Sequence, residues 1–94
     1  MCPLESKHEK GFMRWLDTYA QWEGIKIYRR GWPDRLVIGP GPVFFFIEFK
    51  RDASEDLREL QKHVRDFLLT LGFNVYVCRS AKEAKEETRK YFYA

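Results

Sequence analysis

Val43-Phe44-Phe45-Phe46-Ile47-Glu48-Phe49-Lys50 runs through five apolar residues and then meets an acid and a lysine. A run apolar on both sides of the pleat belongs to a central strand covered on both faces. Alternation puts Phe44, Phe46, Glu48 and Lys50 on one of those faces, so the charges continue an interior surface. Buried charge is costly unless it is paired or bound to a cation. The end of this strand is therefore where chemistry is expected.

Upstream, Pro33-Asp34 leads into Arg35-Leu36-Val37-Ile38, and Gly39-Pro40-Gly41-Pro42 supplies a turn back to Val43. Paired antiparallel with Ile38 opposite Phe44, the two strands bring Asp34 opposite Glu48. Cross-strand partners have Cβ atoms about 4.5–5.5 Å apart. Two carboxylates that close repel, so one holds a proton or a cation lies between them. A slip of one residue in the turn would send Asp34 to the other face.

The 94 residues make one small domain, 1–94, and the 45% hydrophobic and 17% aromatic content suits a well-packed core with a buried dimer contact. Seventeen basic against 14 acidic residues leave a net charge of +3, too mild to identify a partner. Its distribution says more: Lys26, Arg29, Arg30 and Arg35 flank Asp34, and Arg51, Arg58, Lys62, His63 and Arg65 follow Lys50. A phosphate-bearing partner accounts for that gathering better than a solvated surface does. Cys2 and Cys78 are the two cysteines, no leader precedes the fold and no apolar run is long enough to span a bilayer. An intracellular, cytoplasmic protein with reduced thiols and no membrane contact is expected.

Pro3 fits the first turn of a helix, and Phe12, Trp15, Leu16, Tyr19 and Trp22 recur at helical spacing, predicting a helix over residues 4–22 that Gly24 ends. Residues 25–30 read as a short strand before the hairpin. Asp52 or Ser54 is placed to cap the next helix, Asp52 and Glu55 as a capping box, and Leu57, Leu60, Val64, Phe67, Leu68 and Leu71 give it a wide apolar stripe. Gly72 stops that helix. Residues 73–78 then form a strand parallel to the central one, and Ser80 with Glu83 opens a last helix reaching about Tyr91. The order is α-β-β-β-α-β-α, a mixed sheet flanked by helices. No repeat, low-complexity segment or linker interrupts it.

A first helix bearing an acid, Pro33-Asp34 entering a strand, Glu48-Phe49-Lys50 ending its partner and a helix following together resemble the PD-(D/E)XK nuclease superfamily. Gly31-Trp32-Pro33-Asp34-Arg35, Ile47-Glu48-Phe49-Lys50, Leu60-Gln61 and Gly72-Phe73-Asn74-Val75 make the chain similar, over residues 4–80, to a stand-alone VRR-NUC domain. The resemblance implies a metal-dependent endodeoxyribonuclease leaving 5′-phosphate products, a glutamate on the first helix, a functional glutamine at Gln61, and a phage or bacterial setting by analogy.

The residue types support such chemistry in their own right. Asp34 and Glu48, with the main-chain carbonyl of Phe49, are hard oxygen ligands suited to Mg²⁺ or Mn²⁺. Lys50, on the same face, is placed to orient a water or to stabilise developing negative charge. Of the two helix acids, Glu5 falls nearer the centre of the apolar stripe than Glu9 and is the one assigned. Arg30, Trp32, Arg35, Arg51, Arg58 and Lys62 are the candidate nucleic-acid contacts. Trp32 reads equally as a stacking platform or as packing beneath its turn, whereas Trp15, Tyr19 and Trp22 read as packing. His8 and His63 have no zinc ligands at the required spacing, and the Gly-Pro turn lacks the lysine of a phosphate loop. The expected activity is hydrolysis of branched DNA, Holliday junctions or flaps, by a homodimer. The competing class is a non-catalytic DNA-binding or dimerising module, with Asp34, Glu48 and Lys50 as a structural charge cluster.

Overall fold

The computed structural model describes residues 4–92, so Cys2 and Pro3 lie outside the described residues. The elements are α1 (Leu4–Leu16), β1 (Glu23–Lys26), β2 (Arg35–Gly39), β3 (Val43–Phe49), α2 (Glu59–Thr70), β4 (Val75–Cys78) and α3 (Ala81–Arg89), in the order expected. They build one four-stranded sheet, β1-β2-β3-β4, antiparallel at the first two pairings and parallel between β3 and β4.

β3 is central, and its two faces enter two different cores. Phe45, Ile47 and Phe49 pack with Phe12 and Leu16 of α1, Ala84 of α3 and Cys78. Phe46, on the other face, packs with Val64 and Leu68 of α2 and with Val75. A helix thus covers each side of the strand, which is why its sequence is apolar without alternation.

α1 ends six residues before the predicted limit. Thr18 turns its hydroxyl back onto the Trp15 carbonyl at 2.7 Å, and residues 17–22 continue as turns rather than helix. Trp22 keeps helical spacing by coincidence: it folds back over Gly39, where a Cβ would stand 2.5 Å from the indole. Gly24 does not end the helix either. It lies within β1 opposite Val37, under Met13 of α1, whose sulfur would be 2.5 Å from a Cβ. The Met13 thioether fills the space that a Cβ would take, so a larger residue there would have to displace the end of that side chain.

α2 begins later than predicted. Asp52 instead accepts from the Ser54 amide at 2.9 Å, closing a local turn, and Glu55 accepts from the Arg51 amide at 2.6 Å. The cap is completed at Arg58, whose N–H donates to Gln61 Oε1 at 2.9 Å. Of the predicted stripe, Val64 and Leu68 are buried, while Leu60, Phe67 and Leu71 remain half exposed. Gly72, at φ +93°, stops the helix as expected. Ser80 caps α3 by accepting from the Glu83 amide at 3.0 Å, but the Glu83 carboxylate takes the Arg79 N–H, and the helix closes at Arg89.

Candidate functional site

The β2–β3 register sets Ile38 opposite Phe44 and Arg35 opposite Ile47. One step further along, Asp34 faces Glu48, as the hairpin reading required. Asp34 Oδ2 accepts from the Phe49 N–H at 2.7 Å, which draws the loop residue onto the end of β3.

Lys50 is buried beside Glu48, with 3.9 Å between Nζ and Oε1. Gln61, in the first turn of α2, joins the two. Its Nε2 donates to Glu48 Oε1 at 2.9 Å and its Oε1 accepts from Lys50 Nζ at 2.8 Å. The same oxygen takes the Arg58 amide, so the cap of α2 and the buried lysine share one acceptor. α2 is thereby positioned by the site it serves.

These groups line an open cleft of about 300 Å³ between the N-terminal turns of α1 and the exit of β3. Glu5, Asp34, Glu48, Lys50 and Gln61 all reach it, as does the main chain at Phe49. Burial pushes the Glu48 carboxyl up to about 8, and the facing Asp34 adds to the effect while Lys50 opposes it. Asp34 is also raised by burial, in spite of its Phe49 hydrogen bond. Glu5 is raised by burial and then by Glu55, an acid of the β3–α2 loop whose part in the cleft wall the sequence did not reveal.

Glu9 also lines the cleft, but its carboxylate is spent on two cations. Lys26 Nζ lies 2.8 Å and Arg35 Nε 2.7 Å from Oε2, with the Glu9 side chain 13% exposed. Lys26 and Arg35 are directly opposed across β1 and β2. Like charges so placed are destabilising without an anion between them, and that pairing was the available signal for Glu9.

Arg35, named as a nucleic-acid contact, is engaged within the fold: besides Glu9 it holds the Gly24 carbonyl through Nη1 at 2.8 Å, which turns it into the α1–sheet junction. Trp32 packs edge-on to Phe46, ring centres 6.3 Å apart, with the Arg29 guanidinium 5.7 Å from its ring centre. That is the packing alternative for this residue. Trp15, Tyr19 and Trp22 gather around Phe92. Arg30, Arg51, Arg58 and Lys62 are exposed, and Arg58 reaches the cleft wall. Arg51 stands 3.4 Å from Asp52, and Lys62 lies 3.7 Å from Asp56.

Among the described residues, no three acid, histidine or cysteine side chains converge as a ready-made metal cage. Mg²⁺ needs none, since it is commonly held by one or two carboxylates and keeps several waters. Asp34 uses one oxygen on Phe49 and Glu48 one oxygen on Gln61, and the second oxygen of each makes no hydrogen bond among the described residues. Two opposed carboxyls that resist ionisation, each with a spare oxygen, are a donor set that fits a hard divalent cation.

No family model and no curated protein matches the sequence. A solved structure described as a VRR_NUC domain does match, with 25% identity and a TM-score of 0.79, over 96% of this chain and 99% of that one. The chain thus has the fold of a VRR-NUC domain over nearly its whole length, and its mixed sheet between helices agrees with the PD-(D/E)XK nuclease type.

Proposed function

We propose that this nuclease-type domain is a Mg²⁺- or Mn²⁺-dependent endodeoxyribonuclease that hydrolyses phosphodiester bonds in branched DNA. One observation carries the reading: Asp34 and Glu48 oppose each other at the end of the central sheet pair, with Lys50 held against them by Gln61.

Asp34, Glu48 and the Phe49 carbonyl would hold the cation. Bound there, it would neutralise phosphate charge and make an attacking water more acidic. The chain supplies the rest. Lys50 Nζ, fixed by Gln61, presents a positive charge where the phosphate becomes more negative, and its burial strengthens that effect. Glu5 sits at the cleft mouth with a carboxyl whose proton affinity is raised, suited to orienting water. Arg58 on the cleft wall, together with the exposed Arg30, Arg51 and Lys62, would take the flanking phosphates.

Leu60, Phe67 and Leu71 leave apolar surface along α2, which supports a homodimer. Two cleft-bearing copies about a twofold suit a branched substrate with two equivalent strands to cut. Among the described residues no helix is long and apolar enough to cross a membrane, and the buried, unpaired Cys78 thiol suits the reducing cytoplasm.

A labelled four-way junction and a flap, incubated with the protein and Mg²⁺ or Mn²⁺, test the proposal. Cleavage lost in Asp34→Ala and Glu48→Ala is expected. An inert wild type, or undiminished cleavage by Asp34→Ala, would overturn it. The Lys50–Gln61–Glu48 network closes its own hydrogen bonds and so also suits a non-catalytic DNA-binding or dimerising module. Saturable Mn²⁺ binding that Asp34→Ala abolishes separates the two readings, because an ion pair kept only for structure binds no cation.

A further inference from the structure

β4 is the last strand of the sheet, so one of its sides is unpaired. The carbonyls of Asn74 and Cys78 accept from Phe46 and Lys50 of the β3 side. In a parallel ladder both main-chain groups of a residue point the same way and alternate along the strand, so Val75 and Val77 aim theirs outward. Natural edges are commonly guarded by lysine, proline or a bulge. Val75-Tyr76-Val77-Cys78 has no proline and no charge.

Two open grooves flank this edge. One, of about 350 Å³, runs along β4 with Arg65 on one side and Glu83, Glu86 and Glu87 on the other. The second, of about 420 Å³, lies beside Val77 and is lined by Lys62, Arg65 and Arg79 together with Asp56 and Asp66, Asp56 standing 3.7 Å from Lys62. α2 and α3 cover opposite faces of the sheet, so the edge carries Arg65 on its α2 face and three glutamates on its α3 face. Arg65 is the telling residue. Its Nε is the one buried side-chain nitrogen or oxygen among the described residues without a hydrogen-bond partner, and its guanidinium enters no ion pair or ring contact. The residue as a whole is only partly buried and lines the groove, so a carboxylate placed there would pair with the outer part of its guanidinium.

We infer that the free edge of β4 is a docking site for an extended peptide segment of a partner protein, one that adds a fifth strand with acidic side chains toward Arg65 and basic side chains toward Glu83, Glu86 and Glu87. Main-chain bonds to Val75 and Val77 give affinity, and alternation of charge gives specificity. Four residues of β4 span about 13 Å, enough for a strand of four or five residues. A second copy of this chain is the wrong occupant. Two β4 edges joined antiparallel about a twofold normal to the sheet would set α2 beside α2 and α3 beside α3. Arg65 would then confront Arg65, and the glutamates would confront glutamates.

The test is independent of nuclease activity. An end-capped eight-residue peptide alternating glutamate with lysine is titrated into ¹⁵N-labelled protein, and a peptide of the same composition with its glutamates and lysines in separate blocks is the control. Shifts at the Val75 and Val77 amides are expected, with a Kd of about 1 mM or below, weaker for the blocked peptide. Arg65→Gln, at a half-buried position of α2 and without partners to lose, should raise the Kd at least about fivefold. Val77→Pro removes an N–H that the sheet does not use and should abolish binding. Shifts confined to other elements, no shift at a peptide concentration of about 5 mM, equal affinity for the blocked peptide or unchanged affinity in both folded variants would each overturn the inference.

Discussion

Gln61 donates through Nε2 to Glu48 Oε1 at 2.9 Å while its own carbonyl oxygen receives Lys50 Nζ at 2.8 Å. A neutral amide thus separates two buried side chains whose direct approach is only 3.9 Å, and it fixes both. Gln61→Ala removes the donor, the acceptor and the cap on the Arg58 amide together. It should cost about 1–3 kcal/mol in urea unfolding and, if Lys50 acts in cleavage, lower kcat about 100-fold. Gln61→Glu keeps the acceptor for Lys50 but turns a second acceptor on Glu48. It should cleave as poorly as Gln61→Ala, and a near wild-type rate would show that the Glu48 contact is dispensable.

Glu48 makes metal-free stability depend on pH. Its carboxyl titrates at about 8 in the fold against 4.5 outside it, so between those values the folded chain holds the extra proton. Stability is then fully present below 4.5 and falls as pH rises toward 8, by roughly 2–4 kcal/mol. Asp34 and Glu5 are shifted in the same direction and add to the slope. Thermal unfolding in EDTA across this window should show the decline, and Glu48→Gln should flatten it. Added Mn²⁺ should raise Tm most at the alkaline end, where the carboxylates are ionised and free to bind it.

The central strand and its charged end were legible in the sequence because a two-sided apolar run and a cross-strand register are both local patterns. Pairing Ile38 with Phe44 was enough to place Asp34 across from Glu48. The end of α1 was not legible: Trp22 continues the helical period, yet it owes its position to a tertiary contact with Gly39. The direction of the Arg35 side chain was not legible for a similar reason. Its charge and its place next to Asp34 suggested DNA, but its direction was decided by Glu9, far off in sequence and brought near only when α1 docks. The cap at Gln61 was hidden behind Asp52 and Ser54, whose types suit a helix start as well as the turn that they form.

Gly31 lies just before Pro33-Asp34 at φ +81°, where a Cβ would fall 2.4 Å from Leu60 Cγ. The positive φ alone costs a non-glycine residue about 1–2 kcal/mol. Leu60 is half exposed and free to yield, so the steric part should be the smaller one. Gly31→Ala is expected to lose about 1–3 kcal/mol in all, and Leu60→Ala in that background to recover only a fraction. Full recovery in a double-mutant cycle would mean that crowding by Leu60, and not backbone conformation, selects glycine.

Glu5 and Glu9 share one face of α1 and one cleft, yet their substitutions should separate cleanly. Glu9 joins Lys26 and Arg35 to the helix, and Glu9→Gln leaves two opposed cations without their anion. Because the group is partly shielded, the cost should be about 1–3 kcal/mol, somewhat below that of breaking a fully buried pair. Glu5 has the reverse position. Burial and Glu55 both oppose its charge, so Glu5→Gln removes a repulsion and should leave stability unchanged or slightly higher. If Glu5 is the helix acid of the reaction, the same substitution lowers the cleavage rate, while Glu9→Gln retains cleavage under conditions where it stays folded. Denaturation midpoints and single-turnover rates measured on both variants decide the matter. A Glu9→Gln protein that is stable but inert, beside a Glu5→Gln protein that cuts normally, would transfer the role to Glu9.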